Sequence, residues 1–185
     1  MTILESIKNR RSYYPAEFIN KPIEKAKIEL LLEAAQYAPS HKKTYPWRFK
    51  VIQGNAQKRL GEFLAKAYTE VTPIEKYSDF KRKKLLINPQ KAGAIIAICM
   101  QRDVKERIPE WEEIAATAMA VQNIWLCTSD LQLGGYWSSP SLIQHVNAFL
   151  KLGKGQRCLG FFYIGYVHQE EIHREIPTEG TVVWI

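Results

Sequence analysis

Arg10, Arg11 and Ser12 follow one another directly behind a short amphipathic stretch at the start of the chain. Two guanidinium forks bind phosphate oxygens bidentately and a hydroxyl adds a compact donor, so the triplet is a candidate anion site. The same residues equally describe a charged helix end, because arginine suits the negative end of a helix dipole. A second polar cluster, Ser40-His41-Lys42-Lys43-Thr44-Tyr45, lies between Pro39 and Pro46. The prolines restrict the backbone on both sides, giving either a shaped ligand loop or a solvated connection. The third cluster is Gly134-Gly135-Tyr136-Trp137-Ser138-Ser139. Its glycines permit close backbone approach, and Trp137 sets a flat apolar surface beside two hydroxyls. A helix C-cap followed by a buried tryptophan accounts for the same residues.

Several other chemistries lack their motifs. No GxGxxG dinucleotide fingerprint, no phosphate-cradling GxxxxGK[ST] loop and no GxSxG nucleophile elbow is present. Cys99, Cys127 and Cys158 are odd in number, form no CxxC pair and are far apart in sequence. They fit reduced thiols in a cytoplasmic protein better than a disulfide framework or a zinc site. His41, His145, His168 and His173 show no metal-ligand spacing.

The clusters need elements to hold them. Thr2 to Glu5 reads as a capping box opening a short helix that ends near Asn9 and delivers the arginines at its edge. A second helix is predicted from about Pro22, through Ile28, Leu31, Leu32 and Ala35, to a stop at Pro39. Trp47, Phe49 and Val51 alternate with Arg48 and Lys50, as in a strand, and residues 56–68 return to helical spacing. Residues 71–90 are basic and weakly patterned and read as a mobile helix-loop region. Residues 93–100 form an Ile-rich run, predicted to be a buried central strand. Residues 111–131 carry the longest helical pattern, which Gly134-Gly135 are expected to end ahead of a short Tyr136-Trp137 strand. A helix over 141–150, a strand over 158–166 and a possible terminal strand at 182–185 complete the series. The predicted class is α+β: three layers, α/β/α, with a small central, largely antiparallel sheet flanked by helices.

At 185 residues the chain fits one domain, taken as 1–185. Its 26 Lys+Arg against 19 Asp+Glu leave a net charge of +7, which favours anionic partners. Lys81 to Lys84 supply an unbroken basic run, but the remaining basic residues are scattered and no nucleic-acid motif is readable, so no nucleic-acid partner is expected. The N-terminus lacks the basic-then-apolar order of a signal peptide, and no apolar run approaches the roughly 20 residues that span a bilayer. A soluble, cytoplasmic protein without a membrane partner is the expectation.

Taken together and in this order, the three clusters resemble the FMN-dependent nitroreductase family, most closely its compact single-domain bacterial branch. The resemblance runs from Ser6-Ile7-Lys8-Asn9-Arg10-Arg11-Ser12, through residues 34–49, 112–126 and 133–139, to Leu159-Gly160-Phe161-Phe162-Tyr163-Ile164-Gly165-Tyr166. It implies that Arg10, Arg11 and Ser12 grip the phosphate and ribityl end of FMN. Trp137, Ser138 and Ser139 would lie against the isoalloxazine ring. Tyr37 and His41 would be flavin contacts, His41 from a loop that crosses a dimer interface. Lys43 and Tyr45 stand where many relatives carry Asn and Gln; Lys43 would pair with the pyrimidine edge of the reduced flavin and Tyr45 would stack. Arg174 is a further candidate for the phosphate.

The implied activity is hydride transfer from NAD(P)H through flavin N5 to a small electron-poor acceptor such as a nitroaromatic or quinone, in a homodimer with FMN at its interface. No protein nucleophile or other catalytic side chain is implied, since the cofactor carries the chemistry. A flavin carrier with little turnover would share every one of these residues.

Overall fold

A computed structural model describes residues 2–168 and 182–184. The Ile-rich run forms β2 (Ala94–Gln101), hydrogen-bonded on one side to β1 (Trp47–Ile52) and on the other to β4 (Gln156–Tyr166). β3 (Leu133–Ser138) lies beyond β4, so the order is β1-β2-β4-β3 with every pairing antiparallel. β2 is buried from Ala94 to Met100 because both its faces are covered. Ala94, Ile96 and Ile98 point into one core with α2 (Lys25–Gln36) and α5 (Glu110–Thr128). Ile95, Ala97 and Cys99 point into a second core with α3 (Asn55–Val71) and the Leu142–Leu150 side chains. This is the predicted three-layer α+β arrangement.

The pairing of β2 with β4 has one irregularity. Ile98 faces Gly160 while Cys99 faces Cys158, so Leu159 is an extra residue on β4. The bulge reverses the alternation, which puts Cys158 and Phe161 in the same core. It also brings Gly160 under Trp137, where an added Cβ would lie 2.1 Å from the indole Nε1. The three cysteines are free, but the pairing of β2 with β4 sets Cys99 directly opposite Cys158.

α1 (Ile3–Asn9) carries the expected capping box at Thr2 and Glu5. α2 starts at Lys25, later than Pro22, because the Ile23 N–H is engaged with the Gly93 carbonyl beside β2. The basic stretch 71–90 is largely α4 (Asp79–Lys91), which packs closely on α3. Ser78 caps it, and Gly61 admits its backbone: a Cβ there would stand 2.2 Å from the Leu86 carbonyl oxygen. Gly134 and Gly135 do not end α5. Gln132, in the left-handed region at φ 60°, turns the chain, and both glycines lie within β3 beneath Tyr13 and Phe162. The helix expected over 141–150 is a 3-10 turn, Ser141–His145, followed by α6 (Asn147–Leu150). Among the described residues of the expected terminal strand, 182–184, no strand is formed. Val182, Val183 and Trp184 are exposed and unpaired with the sheet, and Ile185 lies outside the described residues.

Candidate functional site

The Arg10-Arg11-Ser12 segment leaves α1 in extended conformation and is fastened to the sheet. Ser12 bridges Gly135, and the Tyr13 N–H donates to the Gly135 carbonyl at 3.2 Å. From α5, the Trp125 indole N–H donates to the Arg11 carbonyl at 3.1 Å, and the Arg10 guanidinium stands 4.5 Å over the indole ring. The Arg11 guanidinium stands 4.2 Å over Tyr13. Its Nε is buried and has no hydrogen-bond acceptor among the described residues. An orphaned guanidinium donor costs about 1–3 kcal/mol or more, so the position fits an anionic ligand that supplies the missing acceptor. Trp125 was legible in the sequence only as one apolar position of a helix.

The Pro39–Pro46 loop contains a 3-10 turn, His41–Lys43, with Lys42, Lys43 and Tyr45 all at positive φ (50°, 54° and 43°). Such conformations cost non-glycine residues on the order of 1–3 kcal/mol each and persist only where their surroundings enforce them. Here the Ser40 hydroxyl accepts from the Tyr45 N–H at 2.9 Å and bonds the Thr44 hydroxyl. Lys42 Nζ donates to the Arg107 carbonyl at 3.1 Å, and His41 Nδ1 meets Glu112 Oε2 at 2.5 Å. The Tyr45 ring packs edge-on against Trp47.

The platform behind this loop is the connection from β2 to α5. Arg107 forks onto Asp103 at 2.8 and 3.1 Å and holds that carboxyl down to about 2. Arg102 pairs with the fully buried Glu113, whose second oxygen accepts from the Asp103 N–H at 2.9 Å.

Trp137 is half-buried, with its indole N–H on the Leu159 carbonyl at 3.4 Å. Ser138 ends β3 half-buried, and Ser139 is exposed. Trp137 stands two residues beyond Gly135, about 7 Å along β3, so the arginine triplet, bridged to Gly135 through Ser12, lies near the Trp137-Ser138 end of that strand. The loop lies apart from them. Glu112 and Trp125 are separated by 13 positions of α5, about 20 Å at 1.5 Å per residue. Tyr37, the C-cap residue of α2, is 79% exposed, and the Lys43 side chain is exposed as well. Arg174 lies outside the described residues. A cleft of about 690 Å³ lined by Lys50, Arg59, Phe63, Phe149 and Lys151 contains none of the sequence-predicted residues. No described helix is long and apolar enough to cross a membrane.

The sequence profile of the nitroreductase family matches residues 7–166 of this chain. YdjA of Escherichia coli (strain K12), provisionally named an NAD(P)H nitroreductase, is 27% identical over 168 residues, 89% of this chain and 88% of its own. The nitroreductase-like family protein from Bacillus cereus superposes with a TM-score of 0.80 at 27% identity, over 100% of this chain and 96% of that one. A nitroreductase with bound FMN from Bacteroides fragilis NCTC 9343 has the same fold, with a TM-score of 0.73 at 18% identity over 100% and 99% of the two chains.

Proposed function

Because the chain belongs to the nitroreductase family of oxidoreductases, we propose that it is an FMN-dependent NAD(P)H oxidoreductase acting on a small electron-poor acceptor such as a nitroaromatic or quinone. The observation that carries this reading is the Arg10–Arg11 segment: two guanidiniums, one with a buried orphan Nε, clamped by Trp125 against the strand that presents Trp137. In this reading Arg10, Arg11 and Ser12 hold the phosphate end, and Trp137 with Ser138 and Ser139 lines the ring. When bound, the flavin would supply the two-electron redox chemistry between NAD(P)H and the acceptor. The protein's residues bind, orient and neutralise charge, the arginines through charge-assisted hydrogen bonds and Lys43 through its charge at the pyrimidine edge.

The functional unit in this reading is a cytoplasmic homodimer of the single 1–185 domain. Two features support the dimer. The His41 loop lies about 20 Å along α5 from the triplet, and in this reading a second copy brings Tyr37, His41 and Lys43 to the same flavin. In addition, the outward surface of the α2/α5 layer carries Leu30, Tyr37, Trp111 and Met119, exposed by 53, 79, 68 and 40%. The test is a visible absorption spectrum of the purified protein followed by anaerobic addition of NADH or NADPH. Flavin bands that bleach with a nicotinamide are expected. A colourless protein that binds no added FMN overturns the reading, and bands that fail to bleach reduce it to flavin carriage. Replacing both Arg10 and Arg11 by Ala should weaken FMN binding at least tenfold, since each charge-assisted contact contributes roughly 1.5–3 kcal/mol.

A further inference from the structure

We infer that Glu112 is the positioning residue for His41, fixing Nδ1 as the protonated ring nitrogen and leaving Nε2 for a hydrogen bond to the bound flavin. The inference rests on the flavin-binding reading of the Pro39–Pro46 loop. His41 and Glu112 are 71 positions apart in sequence and meet at 2.5 Å between Nδ1 and Oε2. A carboxylate has no proton to give at neutral pH, so the imidazole must donate from Nδ1. The hydrogen bond made by one ring nitrogen decides what the other can do. Nε2 of His41 has no partner among the described residues, and 58% of the side chain is exposed.

The contact is more than a casual surface pair, because both ends are held. Glu112 lies in the first turn of α5, where its neighbour Glu113 is locked by Arg102 and the Asp103 N–H. Lys42 adds a second tether from the loop to the Arg107 carbonyl. His41 itself precedes two successive left-handed residues, so its ring direction follows from a backbone turn that these contacts sustain.

The test compares wild type with Glu112→Ala and Glu112→Gln by 15N NMR of the histidine rings and by FMN titration. Gln keeps an oxygen that accepts from Nδ1–H, whereas Ala removes it. Wild type and Glu112→Gln should hold neutral His41 in the Nδ1–H form, and Glu112→Ala should revert to the Nε2–H form favoured by a free imidazole. The FMN Kd should rise roughly tenfold in Glu112→Ala and stay within about threefold of wild type in Glu112→Gln. His41→Ala and the His41→Ala/Glu112→Ala double variant should bind FMN alike, because Glu112 acts through the ring. An unchanged tautomer in Glu112→Ala overturns the inference, and so does an altered tautomer with unchanged FMN affinity. A wild-type protein that takes up no FMN fails the flavin reading instead, and the tautomer comparison then decides separately whether Glu112 fixes the ring.

Discussion

The Trp125 indole is seated edge-on against Phe162 at 5.2 Å, so its N–H arrives at the Arg11 carbonyl from a ring that the core already holds. Its face underlies the Arg10 guanidinium. One side chain thus fixes the backbone of one arginine and the head group of the other, which would pre-organise the proposed anion site. Trp125→Phe preserves a ring beneath Arg10 but strands the part-buried Arg11 carbonyl. A loss of about 1 kcal/mol in urea denaturation is expected, together with a severalfold weaker FMN Kd in fluorescence titration. Unchanged FMN affinity would show that Arg11 needs no such tether. Gly160 makes a complementary case beneath Trp137. Its missing Cβ is the space that the edge of Trp137 occupies, and Ser138 O would lie 2.7 Å from a methyl there. Gly160→Ala should cost about 1–3 kcal/mol of stability as Trp137 is displaced.

The β2–α5 connection is the element that supports the His41 loop, and its ion pairs make that support sensitive to acid. The Arg107 fork is the main cause that lowers the Asp103 carboxyl from 3.8 to about 2. A folded-state pKa below the unfolded one stabilises the fold at pH above the unfolded value. That contribution fades as the pH falls from about 4 through 2. Urea midpoints measured across this window should therefore fall less steeply for Asp103→Asn than for wild type. Glu24, held at about 2 chiefly by the Tyr166 hydroxyl, supplies the same background loss in both proteins. Identical slopes would remove Asp103 from the acid response.

The same region marks the boundary of what the sequence discloses. β2 is legible because burial on both faces makes its run continuously apolar, and the α1 capping box because its two hydrogen bonds are local. α4 is obscured because its outward basic residues dilute any periodicity, and its packing on α3 depends on residues remote in sequence, the close approach at Gly61 and the Gln57 bond to the Pro89 carbonyl. Gly134 and Gly135 look like helix terminators in sequence. Their actual requirement is set by Tyr13 and Phe162, residues remote in the chain. Arg10, Arg11 and Trp137 are singled out in the sequence by resemblance alone. Trp125, which tethers the arginines, and Glu112, which meets His41, come from opposite ends of a helix whose pattern records only its core face.

At the scale of the molecule, α5 has two unlike sides. Glu113, Ala116, Thr117, Ala120, Val121, Ile124 and Thr128 are buried, and Trp111, Ala118, Met119 and Gln122 look outward. On this outer-layer helix Trp111 and Met119 are exposed, and with Leu30 and Tyr37 of α2 they add apolar surface to one side of the domain. An isologous dimer through this face would bury them, since each copy would then cover the same patch on the other. It would also join loop and triplet from different chains, so assembly and cofactor binding become one equilibrium. Met119→Glu tests the coupling directly, because it places a charge in the patch without touching any residue assigned to the flavin. An unpaired interfacial carboxylate should weaken dimerisation by roughly 100-fold, about 3 kcal/mol. Light scattering should then report a monomer with an intact circular dichroism spectrum, and that monomer should have lost its FMN. Retention of FMN by a folded monomer would place the whole flavin site within one chain and leave the His41 loop without a part in it.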